Sequence, residues 1–444
     1  MKPVSFLLLL SCFISSAKIP ESVKAEVDQR IEHQLNPSIV IGVFADGKTE
    51  FYAKGYQNKA LKQVATSKTV YEIGSITKTF TSLLLAKLVD EKKLQLKDPV
   101  QKLWPGDFKL IDNKKQAITL LQLATHTSGL PRMPNNLNPF SSDPYATYDR
   151  QQLLTGISQA KLKTSGENYG YSNLAVGLLG ETMSQIENTS YNDLIATKVL
   201  KPLHLNQTYM LLDQVPETVL AQGYTGKNAV DPWQFQALAG AGSIRSSIED
   251  LLAYGIAHLD HSKHELKTAM QMATTTHYQQ GHLKVGLGWH IDTKGYIWHN
   301  GGTSGFSSII VFDPIQQKVV AGITNTNPEH NIDDIAFHLM DRSIPMIDHE
   351  FPVPIANDQL DQFIGRFNHQ GTNNHITIIK ENNQLFFDAH KQPLQLLTFV
   401  GNNTFKIHSL KIKLAFNRND NQINSLILDG WGGSQTYHKV INDD

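Results

Sequence analysis

Cysteine is almost missing from this chain. Its 444 residues include one, Cys12, which excludes a disulfide framework and a cysteine-ligated zinc site. An excess of either charge is missing too, since 40 Lys and Arg stand against 41 Asp and Glu for a formal net charge of −1. Such a balance gives no field to draw nucleic acid or an acidic membrane, and no basic block supplies one locally. No nucleic-acid partner is expected. Charged residues make up 18% of the chain, below the roughly 25% usual in soluble domains. H-E-x-x-H, G-x-S-x-G and G-x-G-x-x-G do not occur. A zinc peptidase, an α/β-hydrolase elbow and a dinucleotide-binding glycine fingerprint are thereby unsupported. His258, His261 and His264 read as a solvated helix end rather than a metal site. No metal or organic cofactor is implied.

Long apolar runs are absent after the first segment. Val4–Ile14 follows Lys2 and precedes Ser15-Ser16-Ala17. The run is shorter than the ~20 residues that span a bilayer and reads as a secretory signal over residues 1–17. A buried N-terminal helix, or a lipoprotein acylated at Cys12, are the alternatives. The expectation is an exported bacterial chain, periplasmic or secreted, with no integral membrane segment once the signal is removed.

What is present reads as an α+β chain. Residues 20–34 carry Val23, Val27 and Ile31 one turn apart, the mark of an amphipathic helix. Ile39–Ala45 and Thr49–Gly55 form a hairpin around Asp46-Gly47. A helical middle follows, clearest over Ser75–Glu91 and expected again near 119–126, 149–160, 172–186, 190–200 and 247–259. Ser246 and Glu249 fit a capping box for the last of these. Strands return at Val285–Ile291, Tyr296–Asn300, Ser307–Asp313 and Lys318–Asn325, and a helix follows over His330–Arg342. The economical arrangement is one antiparallel sheet built from both ends, flanked by helices, with a helical lobe at one side. Pro345, Pro352 and Pro354 mark a linker. Beyond it come short strands at His375–Lys380, Gln384–Asp388, Thr404–His408, Lys411–Asn417 and Ser425–Asp429, separated by turns such as Asn382-Asn383 and Asn402-Asn403. The predicted domains are therefore a catalytic domain over 18–345, a linker over 346–354, and a small all-β, barrel-like domain over 355–444.

Three short elements carry chemistry. In Gly74-Ser75-Ile76-Thr77-Lys78 the i, i+3 spacing puts Ser75 and Lys78 on one helical face. A serine hydroxyl needs a base to become a nucleophile, and a lysine can be that base if its surroundings lower its pKa. Ser15–Lys18 and Ser158–Lys161 share the spacing, so the pair alone also reads as an N-cap serine with a solvated lysine. Tyr171-Ser172-Asn173 offers a phenol for proton relay, if Lys78 acidifies it, and an amide for a substrate. It also reads as an ordinary helix start. His299-Asn300-Gly301-Gly302 ends a strand where glycines allow close approach of a ligand. The N–H of Gly302 can donate to an oxyanion, and His299 can bind a carboxylate or position a proton. A glycine-rich turn is the plain alternative. His126, in Thr125-His126-Thr127-Ser128-Gly129, reads as a structural turn residue.

Taken in this order, at separations of 96 and 128 residues, the three elements resemble those of the penicillin-recognising serine hydrolases. The nearest branch is similar to class C β-lactamases and the related D-alanyl-D-alanine carboxypeptidases, D-aminopeptidases and esterases. Leu96–Val100, Leu123–Pro131 and Gly301–Ser308 add to the likeness, which spans roughly residues 25–342. The resemblance implies Ser75 as the acylated nucleophile and Lys78 and Tyr171 in proton transfer. It implies Asn173 on the acyl side chain, His299 and Gly301 along the substrate, and the N–H groups of Ser75 and Gly302 as oxyanion donors. The implied reaction is cleavage of an amide or ester in a small molecule or peptidoglycan-derived peptide. His299 departs from the lysine typical of class C β-lactamases and looks more like the peptidase and esterase members. The β-domain resembles accessory domains of such hydrolases. A penicillin-binding sensor with little turnover is the alternative function, and a scaffold acting through the β-domain is a third.

Overall fold

The computed structural model describes residues 17–440 except 107, 139, 260–264, 370, 373, 390–393, 408, 409, 411, 421, 431 and 432. The signal expected over residues 1–17 therefore lies outside the described residues but for Ala17, and so do His261 and His264. The chain divides into two compact units, Met1–Met346 and Ile347–Asp444.

The first unit opens with helix α1 (Glu21–Glu32), which buries Val23 and Val27. Strands β1 (Ser38–Ala45) and β2 (Lys48–Asn58) form the expected hairpin. Its turn residues Asp46 and Gly47 have φ of 53° and 70°, the turn whose twist suits a two-residue hairpin. Short strand β3 (Gln63–Val64) pairs with β2. The helical lobe includes α2 (Thr77–Asp90), α3 (Asn173–Glu187) and α4 (Ile248–Leu259). The chain then returns to the sheet as β4 (Tyr278–Gln280), β5 (Leu283–Val285), β6 (His290–Ile291), β7 (Ile297–Gly302), β8 (Ser307–Asp313) and β9 (Lys318–Thr324). Helix α5 (Asp333–Met340) closes the unit. The strand order is β3-β2-β1-β9-β8-β7-β6-β5-β4, antiparallel throughout. First and last strands thus meet in the middle, as the two-ended reading requires.

Both faces of the central strands are covered. Ile309 and Val311 pack with Val23 and Val27 of α1 and Ile335 and Leu339 of α5. Ile310 and Phe312 belong instead to the larger core with Phe80 of α2 and Leu251 of α4. Strands β8 and β9 are therefore buried at every residue, which double coverage produces and one-sided coverage does not. The start of α5 is fixed by Arg30, a buried guanidinium that reaches Asp334 through two bonds of 3.2 and 2.6 Å and Glu26 through one of 2.8 Å.

Several expectations need correction. Val285–Ile291 is not one strand. Residues 286–289 leave the ladder, with Leu287 N–H donating to Ala273 and Gly288 N–H to Ala124. The excursion buries Trp289 completely against Tyr254, His258 and Phe312. His258 is correspondingly buried, not solvated, and its Nδ1 bonds the Tyr254 carbonyl at 2.8 Å. The cap of α4 is Ser247, whose Oγ accepts from Asp250 N–H at 3.2 Å. Ser246 lies in a short strand instead, its hydroxyl 2.8 Å from that of Thr208. Residues 328–330 form a separate turn ahead of α5 rather than its first turn.

The second unit is a closed antiparallel barrel of eight strands: β10 (Gly365–His369), β11 (His375–Glu381), β12 (Gln384–Asp388), β13 (Gln395–Gly401), β14 (Thr404–Ile407), β15 (Ile412–Asn419), β16 (Gln422–Gly430) and β17 (Gly433–Lys439). Closure removes the open edges that a sheet of this size would expose. Phe363, Phe367, Phe405 and Phe416 fill its core in edge-on contacts. Asn382, Asn383, Asn402 and Asn403 all have positive φ, the conformation that short hairpin turns ask of asparagine.

Candidate active site

Ser75 does not begin α2 but sits in a single 3-10 turn, Gly74–Ile76, directly ahead of it. The i, i+3 relation survives this change. Lys78 is wholly buried, its Nζ donating to the Ala241 carbonyl at 2.7 Å and lying 2.9 Å from Ser75 Oγ. No carboxylate pairs with it among the described residues. Burial first, and the positive charge of Arg132 second, hold its amine well below the usual lysine range. The solvated lysine that the spacing alone allows is thus not what the fold makes.

Tyr171 precedes α3 and is held there by its neighbours. Ser172 caps the helix, accepting from Ala175 N–H at 2.9 Å, and its own N–H donates to His126 Nδ1 at 3.1 Å. His126 has φ of 57° and sets its ring 4.5 Å from the Tyr171 ring, so the turn residue also positions the phenol. Lys78 Nζ lies 5.0 Å and the Arg132 guanidinium 4.9 Å from the centre of that ring. Burial pushes the phenol up to about 12, against the opposing pulls of the Ser75 side chain and of Arg132. Burial, and not acidification by Lys78, governs this phenol. Asn173 anchors its backbone N–H on the Arg132 carbonyl at 2.9 Å and its Nδ2 on Met133 Sδ at 3.1 Å. Its Oδ1 has no partner among the described residues.

Strand β7 passes directly against the serine turn. A Cβ on Gly301 would stand 2.0 Å from the Ile73 carbonyl oxygen, and one on Gly74 would stand 2.7 Å from Gly302 N. Gly74 also has φ of 48°, so this crossing is built for glycine on both sides. Ser308, opposite Gly301 in the ladder, donates to the same Ile73 carbonyl at 2.9 Å. The N–H of Gly302 is thereby brought beside Ser75. His299 departs from expectation. It is buried behind the cleft wall, with its ring 6.3 Å from that of Tyr171 and 5.2 Å from that of His290. Its Nδ1 bonds the Asn300 carbonyl at 2.6 Å, an acceptor that assigns the proton to Nδ1. Its Nε2 has no partner among the described residues. Burial, then His290 and Lys78, hold the ring well below the usual histidine range, so it is neutral.

Two lobes meet at Ser75 and Gly302. The larger, about 370 Å³, is walled by Arg132, Tyr171, His290, Asn300 and Asp333. The smaller is edged by Asn173 with Tyr145, Trp233 and Phe235. Arg132, His290 and Asp333 are the residues that sequence reasoning missed. Arg132 lies just after the Thr-His-Thr-Ser-Gly-Leu-Pro segment, and that adjacency was its only signal. His290 follows the unforeseen break at residues 286–289, where burial pushes its ring down to about 4. Asp333 was read as ordinary helix.

A family model described as Beta-lactamase matches residues 23–342. The chain is 28% identical over 364 residues to the "Beta-lactamase" of Escherichia coli (strain K12), covering 73% of this chain and 93% of that one. It is 29% identical over 283 residues to the "Beta-lactamase" of Pseudomonas fluorescens, covering 62% and 74%. It is 26% identical over 369 residues to "Protein flp" of Staphylococcus aureus (strain N315), covering 78% and 72%. Among solved structures it resembles the octameric penicillin-binding protein homologue from Pyrococcus abyssi, with a TM-score of 0.69 and 22% identity over 94% of this chain and 99% of that one. At that identity the likeness speaks to fold.

Proposed function

The chain belongs to the beta-lactamase family, and from that premise we propose that it is a serine hydrolase cleaving an amide or ester through an acyl-enzyme on Ser75. The observation that carries this reading is the 2.9 Å approach of a buried, carboxylate-free Lys78 Nζ to Ser75 Oγ. The neutral amine takes the serine proton as Oγ attacks the substrate carbonyl carbon. The N–H groups of Ser75 and Gly302 face the developing oxyanion, each such donor being worth ~3–4 kcal/mol of barrier. Collapse of the tetrahedral species breaks the bond to the leaving nitrogen or oxygen, which takes the Tyr171 proton. Lys78 restores that proton to the phenol. Water then attacks the acyl carbon by the same relay and frees the acid and Ser75. A phenol that stays protonated at neutral pH suits the donor role, and a lysine whose pKa burial lowers suits the base role. Asn173, with its open Oδ1, would receive a donor on the acyl side. The apolar run and small residues over 1–17 support export, which would place the reaction outside the cytoplasm.

The test is covalent labelling by a fluorophosphonate and by a penicillin, with the adduct mapped by mass. Labelling on Ser75 that Ser75→Ala abolishes is expected. Undiminished labelling of Ser75→Ala would refute the assignment. Release of many equivalents of product per chain from a p-nitrophenyl ester or nitrocefin, against a single-equivalent burst, separates a hydrolase from a sensor that stays acylated.

A further inference from the structure

Asp333 is the acidic residue in the wall of the larger lobe. It stands at the first position of α5, where a carboxylate would otherwise be welcomed by the helix end. Asp333 and Asp334 fill that end with the helix's own negative charge. Asp334 is bound by Arg30 at 2.6 Å. Asp333 receives 2.7 Å from Asn300 Nδ2, and its backbone N–H donates to Asn331 Oδ1 at 3.1 Å. It has no ion-pair partner among the described residues. Across the strand, the buried neutral His299 adds no cation to the lobe.

Which part of a substrate meets this carboxylate follows from the proposed reaction, on which the inference rests. The leaving atom must be protonated, and Tyr171 lines the larger lobe, so the leaving group occupies that lobe. The acyl portion is left the smaller lobe with Asn173. We propose that Asp333, braced by Asn300, is a specificity residue for the leaving group, favouring one that bears a cation or hydrogen-bond donor and rejecting one that bears a carboxylate. A partly desolvated charge discriminates strongly, because opposing charges a few ångströms apart interact with several kcal/mol at the reduced dielectric of a cleft. Arg132, at the other side of the lobe, is exposed and laid over the Tyr171 ring, where solvent screens it. The substrate class this points to is an ester or amide of a neutral or cationic alcohol or amine.

The test uses the full chain and three acetate esters that differ at one position of the leaving group: 3-carboxyphenyl, 3-nitrophenyl and 3-(trimethylammonio)phenyl. In Asp333→Asn the kcat/KM for the carboxyphenyl ester should rise at least about tenfold relative to that for the trimethylammonio ester. An unchanged ratio, or a parallel fall for all three, would overturn the proposal and leave Asp333 with a structural role only. A second arm needs no variant. Burial pushes the Asp333 carboxyl up to about 6, a range in which His290, the histidine lining the same lobe, is already neutral. Lowering the pH through about 6 should therefore shrink the wild-type penalty on the anionic ester relative to the neutral one; a penalty constant with pH would contradict it. If Ser75 is not labelled by the neutral fluorophosphonate, the hydrolase reading itself fails. If labelling is Ser75-dependent and the charge ratio is flat, this inference alone fails.

Discussion

Lys78 carries an amine into a site with no carboxylate to receive its charge, and that sets the behaviour of the residues around it. Its pKa in the folded chain lies below the 10.5 of a free lysine. Between those two values the unfolded chain binds the extra proton, so this group's contribution to stability falls as the pH falls. Lys78→Met removes the penalty while keeping the volume. It should raise the melting temperature at neutral pH and cost at least about a thousandfold in kcat/KM, measured by calorimetry and by ester hydrolysis. A variant that loses both stability and activity would mean that the lysine is structural. Tyr171→Phe keeps the ring against His126 and removes only the hydroxyl. A fall of about 10²–10⁴-fold in kcat, with labelled Ser75 still forming, is expected in single-turnover assays. Ser75, Lys78 and Tyr171 were nominated through the order of three short elements and the family resemblance, since each motif alone also had an ordinary structural reading. The Tyr171 pKa was not legible, since burial depends on contacts from His126 and Arg132 that no local pattern shows. Asp333 was equally hidden, for it becomes a cleft residue only when α5 packs back on the sheet.

At the scale of elements, the site is the crossing of β7 over the Gly74–Ile76 turn. The crossing is too close for any side chain at Gly301, where a Cβ would meet the Ile73 carbonyl oxygen at 2.0 Å. Gly301→Ala should therefore push β7 outward, destabilise the first unit by about 1–3 kcal/mol, and lower kcat more than it raises KM, because the Gly302 N–H moves from its place. Denaturant unfolding and steady-state kinetics check this; wild-type values in both would mean that the strand has room. The strands and helices that frame this crossing followed from periodicity and turn residues. The interruption at residues 286–289 did not, because Val285-Gly286-Leu287-Gly288-Trp289 alternates like a strand. Only the tertiary pocket made by Tyr254, His258 and Phe312 draws Trp289 out of the ladder. Three barrel strands, β10, β13 and β17, also escaped sequence reading.

At the scale of the molecule, each unit has a core of its own. The barrel's runs from Leu360 to Tyr437. We propose that Ile347–Asp444 folds alone, giving a β-rich spectrum and a single cooperative unfolding transition when expressed by itself; a non-cooperative melt would contradict this. In the intact chain, the central claim is that a lysine held neutral by burial activates one serine. It is tested most directly by the rate of fluorophosphonate labelling at Ser75 as a function of pH. The account predicts that the rate rises as Lys78 loses its proton and levels off well below the 10.5 of an ordinary lysine. A rate that keeps climbing into the ordinary lysine range, or a label on another residue, would contradict it.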